Sequence, residues 1–250
     1  MSTSTDQPEP TVVATVVPES PAVELVGVRA AYGAIEVLKG VDLTVPAGSV
    51  VALLGPNGGG KTTTMKVVSG LMPLTSGELR LSGRNVTGIT ATEASRLGVC
   101  SIPEGRGIFA NLTVRENLWV ATGTGTRMAE IEEVAYRRFP KLGDRRNQLA
   151  GSMSGGEQQM LSLARALGTD PALLLLDELS MGLAPMIVSE MYDIVGGLAA
   201  EGISILVAEQ FARVVLPIAD TAALMLGGRV VEVGTPADIE AELSTTYLGG

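Results

Sequence analysis

The octapeptide Gly55-Pro56-Asn57-Gly58-Gly59-Gly60-Lys61-Thr62 narrows the possible folds more than any other stretch of this chain. Two glycines flank four residues ahead of Lys-Thr, which is the pattern of a phosphate loop. An apolar run, Ser49 to Leu54, leads into it, and a helix-compatible stretch, Lys61 to Gly70, follows. Strand, glycine-rich turn and helix in that order predict a parallel α/β sheet with the loop at a strand end. The glycines let successive backbone N–H groups converge on phosphate oxygens, and the helix starting at Gly60 points its positive end at them. Lys61 is suited to neutralise β- and γ-phosphate charge, and the Thr62 hydroxyl to hold Mg²⁺; Thr63 belongs to the same nucleotide-binding stretch. A chance lysine beside a glycine-rich turn would not come with both flanking elements.

The rest of the chain supports that class. Val23–Val28 and Val37–Val45 are short β-like runs separated by turn residues, which predicts an antiparallel sheet near the start. Two buried-type strands are expected at Ala172–Leu176 and Ile203–Ala208. Between them, Met191, Ile194, Val195 and Leu198 share one face of a helix over Met186–Ala199. Thr113–Leu167 is more polar, lacks strand-like runs and carries helical patterns at Glu116–Val120 and Met128–Phe139. The expected organisation is a flexible tail over 1–21, with Pro8, Pro10, Pro18 and Pro21, and a single α/β domain over 22–250. An extra edge strand at Val12–Val17 is the alternative for the tail. The domain combines a phosphate-loop core of mainly parallel sheet and flanking helices with an N-terminal antiparallel β subdomain. A helical subdomain is inserted at about 104–167.

Composition then removes whole classes of chemistry. The chain has no histidine, so a histidine base, a histidine metal ligand and a Ser-His-Asp triad are all excluded within it. A net charge of −9 argues against a general nucleic-acid grip, which needs a basic face. The single cysteine, Cys100, allows no internal disulfide and suits a reducing compartment. Arg29 is the first basic residue, so no secretory signal is expected, and no apolar run approaches the ~20 residues of a membrane helix. Any work at a membrane is expected to go through a partner.

Leu173-Leu174-Leu175-Leu176-Asp177-Glu178 is an apolar strand ending in two carboxylates. At the C-terminal edge of an open sheet, Asp177 can hold Mg²⁺, and Glu178 can polarise the water that attacks a γ-phosphate. Two acids capping a strand need no such role, but the phosphate loop gives them one. Met153-Ser154-Gly155-Gly156-Glu157-Gln158-Gln159 opens a helical stretch to Leu167. Ser154 and Glu157 have the spacing of a capping box, which leaves Gly155 and Gly156 unexplained. With free N–H groups at a helix start, Ser154, Gly155, Gly156 and Glu157 form a second candidate anion site.

This heptapeptide, with the phosphate loop and the carboxylate pair, resembles the signature of ATP-binding cassette proteins, across about Ala22 to Gly250. The resemblance implies ATP hydrolysis with Mg²⁺ in a head-to-tail sandwich of two subunits, in which one subunit's signature meets the γ-phosphate on the other's phosphate loop. Tyr32 stands where the family stacks an aromatic on adenine, with a packing role as the plainer reading. Glu104, in Ile102-Pro103-Glu104-Gly105-Arg106, stands where the family has a glutamine reaching toward metal and water. Gln210, in Val207-Ala208-Glu209-Gln210, stands in place of the switch histidine.

Those departures, with Ser180-Met181-Gly182-Leu183-Ala184-Pro185 and the Tyr247-Leu248-Gly249-Gly250 ending, are similar to one of the two ATPase subunits of branched-chain amino acid importers. That similarity implies a partner ATPase, transmembrane permease subunits, an extracytoplasmic binding protein, and a place at the cytoplasmic face of the membrane. Leu179 replaces the family's usual proline after Glu178, and Ala184 an aspartate that many relatives use across the dimer. The helical lobe is the expected dock for a membrane subunit; Phe109 and Trp119 are nevertheless expected, one by one, to be ordinary core aromatics. Alternatives are a urea or amide importer and an ATP-binding module with little hydrolysis. A soluble cassette acting on ribosomes usually carries two cassettes, and this chain has one phosphate loop.

Overall fold

In the computed structural model, residues 20–105 and 107–248 are described, so most of the expected tail and its alternative strand at Val12–Val17 lie outside the described residues. The strands are β1 (Val23–Tyr32), β2 (Ile35–Val45), β3 (Val50–Leu54), β4 (Ser76–Leu81), β5 (Arg84–Asn85), β6 (Val99–Ile102), β7 (Leu173–Asp177), β8 (Ser204–Glu209), β9 (Thr221–Leu226) and β10 (Arg229–Gly234). The helices are α1 (Lys61–Val68), α2 (Ala91–Arg96), α3 (Val114–Trp119), α4 (Met128–Arg138), α5 (Pro140–Asp144), α6 (Gly155–Leu167), α7 (Pro185–Ala200), α8 (Ala212–Val215) and α9 (Pro236–Leu248).

Among the described residues two sheets form, in the orders β2-β1-β4-β5 and β10-β9-β3-β8-β7-β6. The first is antiparallel, with Val23 opposite Val45 and Leu25 opposite Leu43. In the second, β3 runs parallel to both β8 and β9, and β7 runs parallel to β6 and β8. Only β10 is antiparallel to its neighbour there. The expected α/β class with an N-terminal antiparallel part is what the chain adopts. Sequence reading passed over β4, β5, β6, β9 and β10.

Every residue of β3, β7 and β8 is buried. Because successive side chains of a strand point to opposite faces, each strand divides its residues between two cores. Val50, Ala52 and Leu54 join Leu174, Leu176, Ile205 and Val207 in one core, together with the buried faces of α4, α6 and α7. Val51 and Leu53 join Leu173, Leu175, Leu206 and Ala208 in the other, against α1 and the antiparallel sheet. Coverage on both faces is why these strands read as unbroken apolar runs rather than alternating ones. Burying each leucine contributes about 1.5–3 kcal/mol, and four in a row hold the end of β7 firmly.

Among the described residues between β6 and β7 the longer regular elements are helices, and an isolated bridge joins Thr113 to Leu149. Asn117 is fully buried there: its side-chain oxygen accepts from Phe109 N–H (2.8 Å), and its amide donates to the carbonyls of Phe109 (3.0 Å) and Thr113 (3.0 Å). That ties the 109–113 loop to α3. Phe109 and Trp119 are not core aromatics, being 48% and 64% exposed. α3 is only six residues long and buries Val114, Asn117 and Leu118, which leaves Trp119 on its open face.

Candidate functional site

The phosphate loop leaves the end of β3 and turns directly into α1. Gly60 caps that helix in the left-handed region (φ 112°), which a side chain would strain. At Gly55 the limit is space, since a Cβ would lie 2.2 Å from the Met225 carbonyl oxygen of β9. The strand pairing of β3 and β9 therefore dictates glycine at the loop's entrance. Asn57, Gly58, Gly60, Lys61, Thr62 and Thr63 line a cavity of about 310 Å³ that also reaches Glu104, Glu178 and Val37.

Lys61 is buried, and its ammonium donates to the carbonyls of Gly55 (2.9 Å) and Pro56 (3.3 Å). It also stands 3.5 Å from Glu178 Oε1. The structure thus brings the lysine of the loop and the second strand-end carboxylate together, from residues more than a hundred positions apart in the chain. Glu178 itself sits at φ 51°, a left-handed conformation unusual for a side-chain-bearing residue and common where a site holds stored strain.

Asp177 ends β7 and is buried; its Oδ1 has no hydrogen-bond partner. Burial pushes its carboxyl above the usual aspartate value, and the charges of Glu178 and Glu104 push the same way. Hydrogen bonding with the Thr62 side chain and the charge of Lys61 oppose that rise. An unpaired buried carboxylate oxygen beside a threonine hydroxyl is a donor set that fits Mg²⁺, a hard cation taking oxygen ligands. Among the described residues no group of three or more Cys, Asp and Glu converges as a metal site. Mg²⁺ is usually held by one or two protein oxygens together with substrate phosphates and water.

Tyr32 ends β1 about half exposed, at the rim rather than in the cavity lining. The Lys66 ammonium donates to its hydroxyl (3.2 Å) and lies 5.6 Å from the ring centre. That bond, with one to Thr63, lowers the Tyr32 hydroxyl below its ordinary value against the effect of burial. Two side chains of α1 therefore steady the ring beside the loop. Gln210 lies exposed just past β8 and outside the cavity lining.

The capping box at the start of α6 forms as the Ser154–Glu157 spacing predicts. Ser154 N–H and Oγ–H both donate to Glu157 Oε2 (3.0 and 2.8 Å), and Glu157 N–H donates to Ser154 Oγ (3.4 Å). Burial tends to raise the Glu157 carboxyl, but the bonds from Ser154 and the charges of Arg145 and Lys141 outweigh it and hold it low. Gly156 has a reason that sequence could not supply: a Cβ there would come 2.7 Å from Ile187 Cγ2, so its bareness lets α7 pack on α6. Ser154, Gly155, Gly156 and Glu157 do not line the phosphate-loop cavity. Val37 of β2, which does, was missed by sequence reasoning, and nothing in its local pattern marks it.

Fold and site together define a phosphate-loop nucleotide-binding core carrying an inserted helical lobe. The profile of the ABC transporter family matches residues 38–180, and the chain belongs to that family. It is 39% identical, over 88% of its length and 96% of the relative's, to the high-affinity branched-chain amino acid transport ATP-binding protein BraG of Pseudomonas aeruginosa. Identity is 35% to the probable branched-chain amino acid transport ATP-binding protein LivF of Archaeoglobus fulgidus, over 86% of this chain and 92% of that one. It is 31% to the lipopolysaccharide export system ATP-binding protein LptB of Haemophilus influenzae, over 87% and 93%. Among solved structures, an ATP-binding cassette of an ABC transporter in its ADP conformation superposes with a TM-score of 0.81 at 25% identity, covering 90% of this chain and 95% of that one. The chain is an ABC ATPase.

Proposed function

We propose that this chain powers an importer of branched-chain amino acids by hydrolysing ATP against membrane-spanning permease subunits, which an extracytoplasmic binding protein supplies. The observation that carries the catalytic part is the meeting of Lys61 and Glu178 at one cavity, with the unpaired Asp177 oxygen on the adjoining residue of β7 and Asp177 bonded to Thr62 of the cavity lining. Loop N–H groups and Lys61 bind the triphosphate, and the ring of Tyr32 stacks on the base. Thr62 and Asp177 would hold Mg²⁺, with Glu104 in the same cavity as Thr62, and the ion when bound would neutralise charge developing on the β- and γ-phosphates. Glu178 accepts the proton of the attacking water. Gln210 can hydrogen-bond a phosphate oxygen but carries no charge, so proton transfer rests on Glu178.

Ser154 to Glu157 lie outside the cavity of their own chain, and this supports a second cassette subunit whose signature completes each site. Among the described residues no helix is long and apolar enough to cross a membrane. Attachment at the cytoplasmic face therefore falls to permease partners, to which the helical lobe offers Trp119 and Phe109. The cargo assignment is supported by the motif pattern from Glu104 to Gln210 and by the likeness to BraG and LivF. Likeness to LptB favours an exporter as the second reading.

The test is reconstitution with the cognate permeases and binding protein in vesicles. Leucine, isoleucine or valine should raise ATP turnover and accumulate inside, whereas urea, amides and lipopolysaccharide should do neither. Turnover insensitive to all three amino acids would overturn the cargo.

A further inference from the structure

Glu209 is the last residue of β8 and is 1% exposed, a burial that carboxylates rarely reach without partners. It has three. Oε1 accepts from Ser180 N–H (3.0 Å) and from the Tyr192 hydroxyl (2.5 Å), and Oε2 accepts from Ser180 Oγ–H (3.0 Å). Burial, and then the Glu209 charge, push the Tyr192 hydroxyl far above its ordinary value, so it stays a donor. The bond immediately upstream points to the same place: Glu178 N–H donates to the carbonyl of Ala208 (2.9 Å). Two consecutive residues of β8 thus grip positions 178 and 180.

Between them Leu179 is 1% exposed, and Glu178 holds its left-handed backbone conformation. The family's usual proline would stiffen this segment covalently; here leucine leaves the backbone freer and adds an N–H. The buried Glu209 carboxylate restrains this segment through its hydrogen bonds to Ser180. Tyr192 belongs to α7, so the same carboxylate also ties the segment to the helix that packs on Gly156 of α6. Gln210 follows Glu209 directly, so the switch residue and the catalytic carboxylate are both referred to one fixed point.

We propose that Glu209 is a positioning residue for ATP hydrolysis, clamping the Glu178–Ser180 segment to the end of β8 so that the Glu178 carboxylate is held on the attacking water. The proposal rests on the reading of Glu178 as the general base.

Steady-state turnover and equilibrium ATP binding of the full chain test it with Glu209→Gln, whose amide carries no charge and offers one acceptor oxygen where the carboxylate offers two. Misaiming the base should lower kcat by about 10- to 100-fold while ATP affinity stays within about twofold of the parent. Ser180→Ala and Tyr192→Phe, each deleting one donor and keeping the fold's apolar volume, should reproduce a smaller kcat loss with the same unchanged affinity. Those two variants carry the test if Glu209→Gln fails to fold. In a Glu178→Gln background, adding Glu209→Gln should leave the residual rate unchanged, because nothing remains to be aimed. A kcat within about twofold of the parent in all three variants would overturn the proposal, as would an equal loss in the Glu178→Gln background or a matching loss of ATP affinity. If Glu178→Gln alone kept full turnover, the general-base reading would fall and the proposal with it. If Glu178→Gln abolished turnover while Glu209→Gln, Ser180→Ala and Tyr192→Phe all kept kcat within about twofold of the parent, the proposal alone would fall.

Discussion

Replacing Lys61 with methionine keeps most of the side-chain volume and removes the ammonium alone. That ammonium donates at 2.9 and 3.3 Å to two loop carbonyls and stands 3.5 Å from Glu178 Oε1. At an effective dielectric of about 20, unit charges at that separation attract by about 5 kcal/mol gross, before the cost of keeping a lysine with 3% exposure out of water. The net worth of charged hydrogen bonds to phosphate is smaller, about 1.5–3 kcal/mol, so the Kd for ATP should rise roughly 10- to 150-fold. Calorimetric or fluorescence titration of the purified chain reads this directly. The free protein should respond too, because Glu178 loses its cation and Tm should fall. The double variant Lys61→Met/Glu178→Gln should recover most of that stability while its ATP affinity stays weak. A Kd for Lys61→Met within about twofold of the parent would refute the phosphate-binding role. A double variant no more stable than the single one would refute the pairing with Glu178.

Three further perturbations read other parts of the structure. Asp177 has a folded pKa above its ordinary 3.8, so its contribution to stability is complete below that value and is lost as pH rises through the folded value. Without Mg²⁺, Asp177→Asn should therefore melt above the parent near neutral pH, with the gap closing as pH falls toward 3.8; a constant or inverted gap in thermal melts refutes the burial argument. Gly156→Ala should destabilise by about 1–3 kcal/mol in denaturant titrations through its clash with Ile187 Cγ2, and Ile187→Ala in the same chain should return part of the loss. Ala184 caps α7 without a side-chain hydrogen bond, so Ala184→Asp should add about 0.5–2 kcal/mol; an unchanged midpoint would show that the cap is not formed.

Legibility followed the range of the interactions. The phosphate loop, the Ser154–Glu157 capping box and the strand ending in Asp177 were readable because their geometry is dictated by neighbours within a few residues. Glu104, Lys61, Thr62 and Glu178 do share one cavity. Strand β6, Val99–Ile102, was passed over because it is four residues long and carries Cys100 and Ser101 in an otherwise apolar run. Its place comes from pairing with β7 rather than from its own pattern. Phe109 and Trp119 were misread because type alone says that aromatics are inside, whereas burial depends on which face of a short helix meets the core.

By itself, then, the amino-acid sequence determined the nucleotide-binding chemistry, the absence of histidine chemistry within the chain and the α/β class. Those depend on residue types and on periods of two or a few residues. Only the tertiary structure decided that the leucines of β7 divide between two cores and that Gly156 is bare for the sake of Ile187. It alone decided that Glu209 reaches Ser180 and Tyr192, 29 and 17 positions away. It also put the signature outside its own chain's cavity. Contacts of that kind arise from strand order and helix packing, which bring together residues whose spacing in the chain carries no record of the meeting.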